Sequence, residues 1–209
     1  MIIHHAIYVR TLAGLLSVLF VSACATTSRS VDFYTLSAVS SADEKPPAAN
    51  CRDVVIGIGP VLWPSYLDRP QIVTRLSVNR ISFDEFHRWA GPLEEEFTRV
   101  LIDDLSRMLQ TDYVIKYPGK LAYTPRYRVQ MQIDQFDGQP GEAVTLKVNW
   151  SIVTQSGEKE PALHESLIRQ ATAGERYEDM VAAASEAVAE LSRQIAAEVS
   201  TRCVILPGK

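Results

Sequence analysis

The dipeptide His164-Glu165 begins like the HExxH motif of zinc proteases, in which two histidines bind the metal. Ile168 stands where that motif needs its second zinc-binding histidine. Segment 57–60, Gly-Ile-Gly-Pro, resembles the start of a nucleotide-binding loop, but it lacks the third glycine, and Pro60 has no amide hydrogen to offer a phosphate. Neither segment therefore predicts metal or nucleotide chemistry.

The paired carboxylates fit structural roles better than catalytic ones. Asp103-Asp104 falls on the polar face of a predicted helix, where such a pair is usually solvated. Asp134 and Asp137 flank a predicted strand end, where aspartate commonly forms turns. The sequence has no local pattern for a Ser-His pair, a phosphate loop or a nucleophile elbow. We therefore predict that the protein is not an enzyme and has no catalytic residue, no metal site and no cofactor.

Cys24 closes an N-terminal segment that has the parts of a secretory signal. Arg10 supplies a positive charge, residues 12–21 form an apolar run, and small residues precede the cysteine. The run is about half the length that a membrane-spanning helix needs. The pattern resembles the bacterial lipobox, which implies removal of residues 1–23 and attachment of fatty acyl chains such as palmitate to Cys24. The alternative is an ordinary secretory signal with a chance cysteine near its end.

The residues after Cys24 bear on which membrane would hold the lipid anchor. In Gram-negative lipoproteins, an aspartate directly after the lipidated cysteine tends to retain the protein at the inner membrane. Here that position is Ala25, followed by further small polar residues. We therefore expect the protein at the outer membrane, facing the periplasm.

Cys51 and Cys203 remain after lipidation, in a compartment that permits disulfides. Cys51 precedes the first strong strand pattern and Cys203 follows the last helix pattern, so a bond between them would tie the two ends of the domain together. Two unpaired thiols are the alternative, because an even count does not establish pairing.

Length and charge indicate a single folded domain. The chain has 209 residues, and its formal net charge of −4 comes from scattered charges without a basic stripe, so we expect no nucleic-acid partner. We divide it into a signal peptide (1–23), a lipidated tether with a short strand (24–50) and a domain (51–205). The tether is rich in Ser, Ala and Pro.

Hydrophobic periodicity predicts an α+β fold, in which an antiparallel sheet is packed by two long helices. Alternation of apolar and polar residues over 126–134 and 144–152 is typical of strands with one buried face. Helical spacing predicts a helix beginning at Pro92 and another over 177–201. Shorter strands are predicted at 32–36, 54–59, 71–75, 80–83, 113–117 and 163–173.

The proline-rich loop over residues 62–70 is the best candidate for an interaction site. It concentrates aromatic, leucine and charged side chains of the kinds that anchor protein interfaces, and Trp89, just before the first helix, belongs with them. The alternative is a loop that caps the core, with its aromatics buried and Asp68 paired to Arg69. The candidate interface residues are Trp63, Tyr66, Leu67, Asp68, Arg69 and Trp89.

Several segments, taken in order, resemble the ABC-transport auxiliary lipoproteins, the PqiC-like family. After the lipobox come Phe33-Tyr34-Thr35-Leu36 and a Val-x-Gly-Ile-Gly-Pro-Val stretch over 55–61. Residues 66–73 (YLDRPQIV) and 86–93 (FHRWAGPL) are similar to the family's most recognisable stretches. The resemblance runs from about residue 32 to residue 200.

This resemblance implies a non-catalytic subunit of a lipid-trafficking system. Family members accompany mammalian-cell-entry (MCE) domain proteins, in some cases with an ABC permease and ATPase, and help to maintain membrane integrity. The implied role is a docking adaptor at the outer membrane, with an MCE-domain periplasmic protein as partner, phospholipid nearby and homo-oligomers expected. The alternative is a periplasmic lipid-binding carrier that holds an acyl chain in its own cavity.

Overall fold

The computed structural model describes residues 29–38, 51–119, 123–155 and 162–205. The described residues from 31 onward fall in one compact unit. The signal peptide, Cys24 and most of the tether lie outside the described residues. Predictions about lipidation therefore remain predictions.

In the part of the chain that the structure describes, eight strands and two long helices make up the fold, as the α+β prediction required. The helices are α1 (Leu93–Leu109) and α2 (Tyr177–Ile205), and one 3₁₀ turn covers Ser65–Leu67. The strands are β1 (Asp32–Tyr34), β2 (Ile56–Leu62), β3 (Gln71–Ser77), β4 (Arg80–Trp89), β5 (Val114–Lys116), β6 (Tyr127–Gly138), β7 (Ala143–Thr154) and β8 (Leu163–Ala171).

The single sheet is mixed, which refines the predicted antiparallel one. β6, β7 and β8 form the expected antiparallel meander, and β3 pairs antiparallel with β4. The pairs β1–β4, β2–β5, β2–β6 and β3–β6 are parallel. Parallel neighbours need a crossover between them, and the chain passes through α1 between β2 and β5.

The glycine-rich segment 57–60 lies inside strand β2, between β5 and β6. Gly59 has φ +122°, and a β-carbon there would lie 2.0 Å from the carbonyl oxygen of Tyr117. Only glycine fits this close approach of two backbones. The glycines therefore serve sheet packing, in agreement with the rejection of a nucleotide loop.

The core lies between one face of the sheet and the two helices. The inward residues of β6 (Tyr127, Val129, Met131 and Ile133) are buried as the alternation predicted. α1 begins after Pro92 with three glutamates in its first turn, where the helix dipole favours negative charge. The alanines of α2 are mostly buried and let the helix approach β7, β8 and α1 closely.

Asp104 is buried between the two helices, which corrects the prediction of a solvated Asp103-Asp104 pair. Its carboxylate contacts Arg107 and accepts a 3.4 Å hydrogen bond from the hydroxyl of Ser192 on α2. Burial raises the pKa of Asp104 to about 6, against the attraction of Arg107. The prediction treated the two aspartates as one pair, but adjacent residues of a helix do not share a face. Of the two, only Asp103 is exposed to solvent.

The structure pairs Cys51 with Cys203 in a disulfide whose Cα atoms are 5.7 Å apart. The bond joins the start of the domain to the last turn of α2. Among the described residues, no helix is both long and apolar enough to cross a membrane, and no three His, Cys, Asp or Glu side chains are placed to hold a metal ion.

A groove beside strand β1 as a candidate docking site

An open groove of about 870 Å³ lies where the 3₁₀ turn, the start of α1 and the ends of several strands meet. Five of the six residues selected from the sequence line it: Trp63, Leu67, Asp68, Arg69 and Trp89. The sixth, Tyr66, does not line the groove. The chain segments 62–70 and 86–93, which are separate in sequence, therefore form one surface.

Leu67 and Trp89 form the buried floor of this groove. Their side chains are 4 % and 7 % exposed and belong to the main hydrophobic core. The amide of Trp89 donates a 2.7 Å hydrogen bond to the carbonyl of Pro70, which joins the end of β4 to the loop. These two residues therefore belong to the core beneath the groove, as the core-capping alternative predicted for the side chains of this loop.

Tyr66 fixes the loop to the sheet through a buried carboxylate. Its hydroxyl donates a 2.8 Å hydrogen bond to Asp137 of β6, whose side chain is fully buried. The guanidinium of Arg75 donates two bonds of 2.7 Å to the same carboxylate. Asp137 is therefore an internal anchor and not the turn former predicted from its place near a strand end. This role could not be predicted from the sequence, because the partners of Asp137, Tyr66 and Arg75, lie far away in the chain.

Arg69 and Asp68 do not behave as the core-capping alternative predicted. The Arg69 guanidinium lies 3.6 Å from the centre of the Phe83 ring, and its Nε donates a 2.8 Å bond to the carbonyl of Tyr66. The guanidinium of Arg69 is therefore stabilised by a cation–π contact with the neutral ring of Phe83. The carboxylate of Asp68 lies on the exposed rim of the groove.

Trp63 connects the groove to the core through aromatic packing. Its indole meets the ring of Phe97 of α1 edge to face, with centroids 5.2 Å apart, and lies 6.3 Å from Phe136. Such pairs contribute about 0.5–1.5 kcal/mol beyond their buried area. Trp63 therefore serves the core and the groove wall at once.

Twelve other lining residues were not selected from the sequence, and Phe33, Leu62, Glu94 and Glu95 are among them. Phe33 of β1 and Leu62 of β2 are 64 % and 59 % exposed, large values for apolar side chains. Glu94 and Glu95, at the start of α1, are exposed on the rim. Phe33 belongs to a segment of the resemblance and Leu62 begins the candidate loop, but neither was selected, because exposure depends on the assembled fold.

The His164-Glu165 pair is not a site, because alternation in β8 sends the two side chains to opposite faces. His164 stacks on Trp150 with ring centres 4.2 Å apart, whereas Glu165 pairs with Lys147 at 3.3 Å. The groove itself has an aromatic floor, exposed apolar residues and charges of both signs. This arrangement is suited to holding another molecule by burial and charge pairing.

Comparison with known proteins places the chain among transport lipoproteins. A family model described as "ABC-type transport auxiliary lipoprotein component" matches residues 34–196. This range contains the 3₁₀ turn, both segments that line the groove, and most of α2. No curated protein matches the sequence.

Two solved structures share the fold over most of their length. An uncharacterized protein superposes with a TM-score of 0.66 at 19% identity, covering 82% of this chain and 99% of its own. Protein XCC0632 from Xanthomonas campestris, of family DUF330, superposes with a TM-score of 0.67 at 13% identity, covering 82% of this chain and 95% of its own. At these identities the likeness shows the fold alone.

Proposed function

The chain belongs to the family of ABC-type transport auxiliary lipoproteins, and from that premise we propose that it is a docking adaptor at the outer membrane. In this role, acyl chains on Cys24 hold the protein on the periplasmic side of that membrane. The groove beside β1 receives an MCE-domain periplasmic protein of a lipid-transport system. The protein works as a homo-oligomer, catalyses no reaction itself and helps to maintain membrane integrity by completing the path for phospholipid.

The groove is the observation that carries this proposal. Interfaces form around aromatic and arginine anchors with a polar rim, and the groove combines Trp63 and Arg69 with exposed Phe33 and Leu62. Exposed apolar side chains grouped around a concave surface are typical of interaction sites. The rim carboxylates of residues 68, 94 and 95 would give the partner's basic groups a fixed orientation.

The lipid-carrier alternative finds less support in the packing. A carrier needs an apolar cavity for an acyl chain. The cavity between the sheet and the helices, lined by Ile72, Phe136 and Met180 among others, has a volume of about 10 Å³. That is room for about one water molecule. This cavity has no room for an acyl chain, so a lipid carrier would have to hold its lipid in the open groove.

Photocrosslinking from the groove tests the docking role. A benzophenone amino acid is placed at Leu62 of the full-length protein in cells, and crosslinked proteins and lipids are identified by mass spectrometry. Val78, in the β3–β4 turn, is the control because it is 87% exposed and lies outside the groove. We expect an MCE-domain protein to be captured from position 62 and not from position 78.

Two outcomes would contradict the proposal in different ways. Phospholipid crosslinked to position 62 without any protein would support the carrier alternative. Equal capture of the MCE-domain protein from positions 62 and 78 would mean that proximity in the periplasm, and not the groove, explains the crosslink.

A further inference from the structure

The turn between β3 and β4 exposes apolar side chains at the end of a long hairpin. Among the large apolar side chains of the described residues, that of Val78 is the most exposed, at 87%. Leu76 is 41% exposed, and Arg80, just after the turn, is exposed too. We call residues 76–80 the hairpin tip. No acidic residue occurs between residues 69 and 83, so the segment around the tip carries only positive charges of its own.

The hairpin tip is held in place by the body of the domain. Ser77 pairs with Arg80 across the turn, and the guanidinium of Arg75 donates a 3.3 Å hydrogen bond to the carbonyl of Val78. The same guanidinium donates to the buried carboxylate of Asp137. The exposure of Val78 is therefore a property of a fixed turn.

The hairpin tip and the groove lie at opposite ends of β3. Pro70 lines the groove, and β3 begins at the next residue, Gln71, and ends at Ser77 in the tip. The six residue steps from Gln71 to Ser77 span about 20 Å. The tip is therefore about 20 Å from the groove along the sheet.

The sequence keeps the lipid anchor expected at Cys24 within reach of the tip. β4 runs away from the tip and β1 is parallel to it, so the N-terminal end of β1 points toward the tip. Phe33 of β1 is level with Arg88, and Arg88 with Gln71, so the tip lies about 20 Å beyond Phe33 in that direction. Cys24 precedes Phe33 by nine residues, which span at most about 30 Å. One membrane surface can therefore hold the acyl chains and contact the tip.

We propose that the hairpin tip rests on the phospholipid surface that holds the acyl chains of Cys24. This inference rests on the lipid anchor of the proposed function. Leu76 and Val78 enter the boundary between headgroups and acyl chains, and the guanidinium of Arg80 binds lipid phosphates. Two aliphatic side chains bind a membrane weakly by themselves, but the anchor keeps them beside it at a high effective concentration.

Contact at the hairpin tip would orient the domain on the membrane. Because β3 joins the tip to the groove, a tip on the lipid surface holds the groove about 20 Å away from that surface, open toward the periplasm. A domain turning freely on its tether would face the membrane with its groove for part of the time. The tip contact therefore gives the groove the direction that docking of a periplasmic protein requires.

Fluorescence quenching by lipid tests this contact. Full-length lipidated protein carrying Asn79→Cys is labelled with a nitrobenzoxadiazole fluorophore, which leaves both apolar side chains of the tip in place. The protein is reconstituted in vesicles of phosphatidylethanolamine and phosphatidylglycerol, with a phosphatidylcholine that carries a nitroxide on its acyl chain. Cys51 and Cys203 are joined in their disulfide, and protein without an added cysteine controls for labelling at Cys24.

Leu163→Cys is the matched control, because residue 163 is exposed near the other end of the sheet. Through β7 it is level with Gln130 of β6, eight residues before Gly138, which pairs with Thr74 near the tip. We expect the nitroxide to quench the label at position 79 and to leave the label at position 163 unchanged.

Replacing the apolar side chains then tests what makes the contact. Leu76→Ser together with Val78→Ser, added to the label at position 79, should reduce the quenching about fivefold, because the remaining turn is polar. Leu163→Ser together with Leu167→Ser removes two exposed leucines elsewhere, so it is the control and should change nothing. All four side chains are exposed, and both variants should therefore fold.

Three results would overturn the inference: no quenching at position 79, equal quenching at positions 79 and 163, or quenching that survives the two serine substitutions in the tip. Flotation of the same vesicles separates these results from a failure of the anchor. Protein that floats without being quenched contradicts the tip contact alone, whereas protein that does not float contradicts the lipid anchor and the tip contact with it. Capture of the MCE-domain protein from Leu62 is unaffected by the serine substitutions in the control pair.

Discussion

The hydroxyl of Tyr66 donates a 2.8 Å hydrogen bond to Asp137, 71 positions away in the sequence. That carboxylate also accepts two hydrogen bonds from Arg75 and one from Gln135. Its buried oxygens therefore all have hydrogen-bond donors. Burial, with the bond to Asp137, raises the pKa of Tyr66 well above its usual value, and the phenol remains a donor at physiological pH. The loop that walls the groove is therefore held by an internal carboxylate.

Removing the Tyr66 hydroxyl should loosen this loop. We expect Tyr66→Phe to lower the free energy of unfolding by about 1–2 kcal/mol, because Asp137 loses one of its donors in a buried setting. Urea denaturation measures the change. Tyr113→Phe is the control, since Tyr113 is 42% exposed, and should shift stability by less than about 0.5 kcal/mol. Equal losses in the two variants would mean that the bond to Asp137 contributes nothing.

Asp104 should make stability fall as the pH rises. Its pKa is raised to about 6 by burial, so between about pH 4 and pH 6 the native protein binds a proton that the unfolded chain releases. Asp104→Asn abolishes this titration. At pH 7 it should raise the free energy of unfolding by about 1–3 kcal/mol, and the gain should shrink toward pH 4. Denaturation at several pH values measures it.

Asp103→Asn is the matched control for that prediction. Asp103 is its neighbour on α1, but its side chain is 48% exposed and pairs with Arg99 in solvent. The Asp103 variant should show the pH dependence of the unchanged protein. If Asp104→Asn shows that same dependence, the buried carboxylate does not titrate in this window.

Breaking the Cys51–Cys203 bond should destabilise the domain strongly. The bond closes a loop with a sequence separation of 152 residues, for which chain entropy predicts up to about 5 kcal/mol. Cys51→Ala, Cys203→Ala and the double variant should lose similar amounts, because any of them removes the bond. Unfolding with and without reductant measures this loss. A single variant that is as stable as the unchanged protein would exclude a stabilising disulfide.

Groove residues should separate into those that bind and those that support. Leu62→Ser should leave the free energy of unfolding within about 0.5 kcal/mol, because its side chain is 59% exposed, and should still prevent partner capture. Leu67→Ala, at the buried floor, should cost about 2–5 kcal/mol. Denaturation and copurification of the partner, measured side by side, distinguish them. A destabilised Leu62→Ser would place that side chain in the core.

Cys24→Ala should leave the domain folded and release it from the membrane. Stable anchoring takes more than one acyl chain, and all of those proposed here are attached to Cys24. Fractionation in high salt, compared with Ser22→Ala as a neighbouring control, measures the change. If the Cys24 variant stays with the membranes in high salt, something other than the lipid holds the protein there.

The sequence predicted the elements well because their signals are local. Alternation in β6 and β7 and helical spacing in α1 depend on near neighbours, and these elements lie within a few residues of their predicted positions. The parallel pairs could not be predicted, since they depend on which distant strands meet. The same holds for Asp104 and Asp137, whose burial is decided by partners on other elements. In the groove, Trp63 and Arg69 stood out by residue type, whereas Phe33 and Leu62 are distinguished only by exposure.

The disulfide also decides how the molecule carries mechanical load. A pull on the chain from its N-terminal side acts first on β1, which is held to β4 by three residue pairs. A load applied between the two ends of the domain would pass from Cys51 to Cys203 through the covalent bond, and the sheet enclosed between them would bear little of it. β1 is therefore the part that yields first. Because Phe33 of β1 lines the groove, tension on the anchor would open the groove while the rest of the fold stays intact.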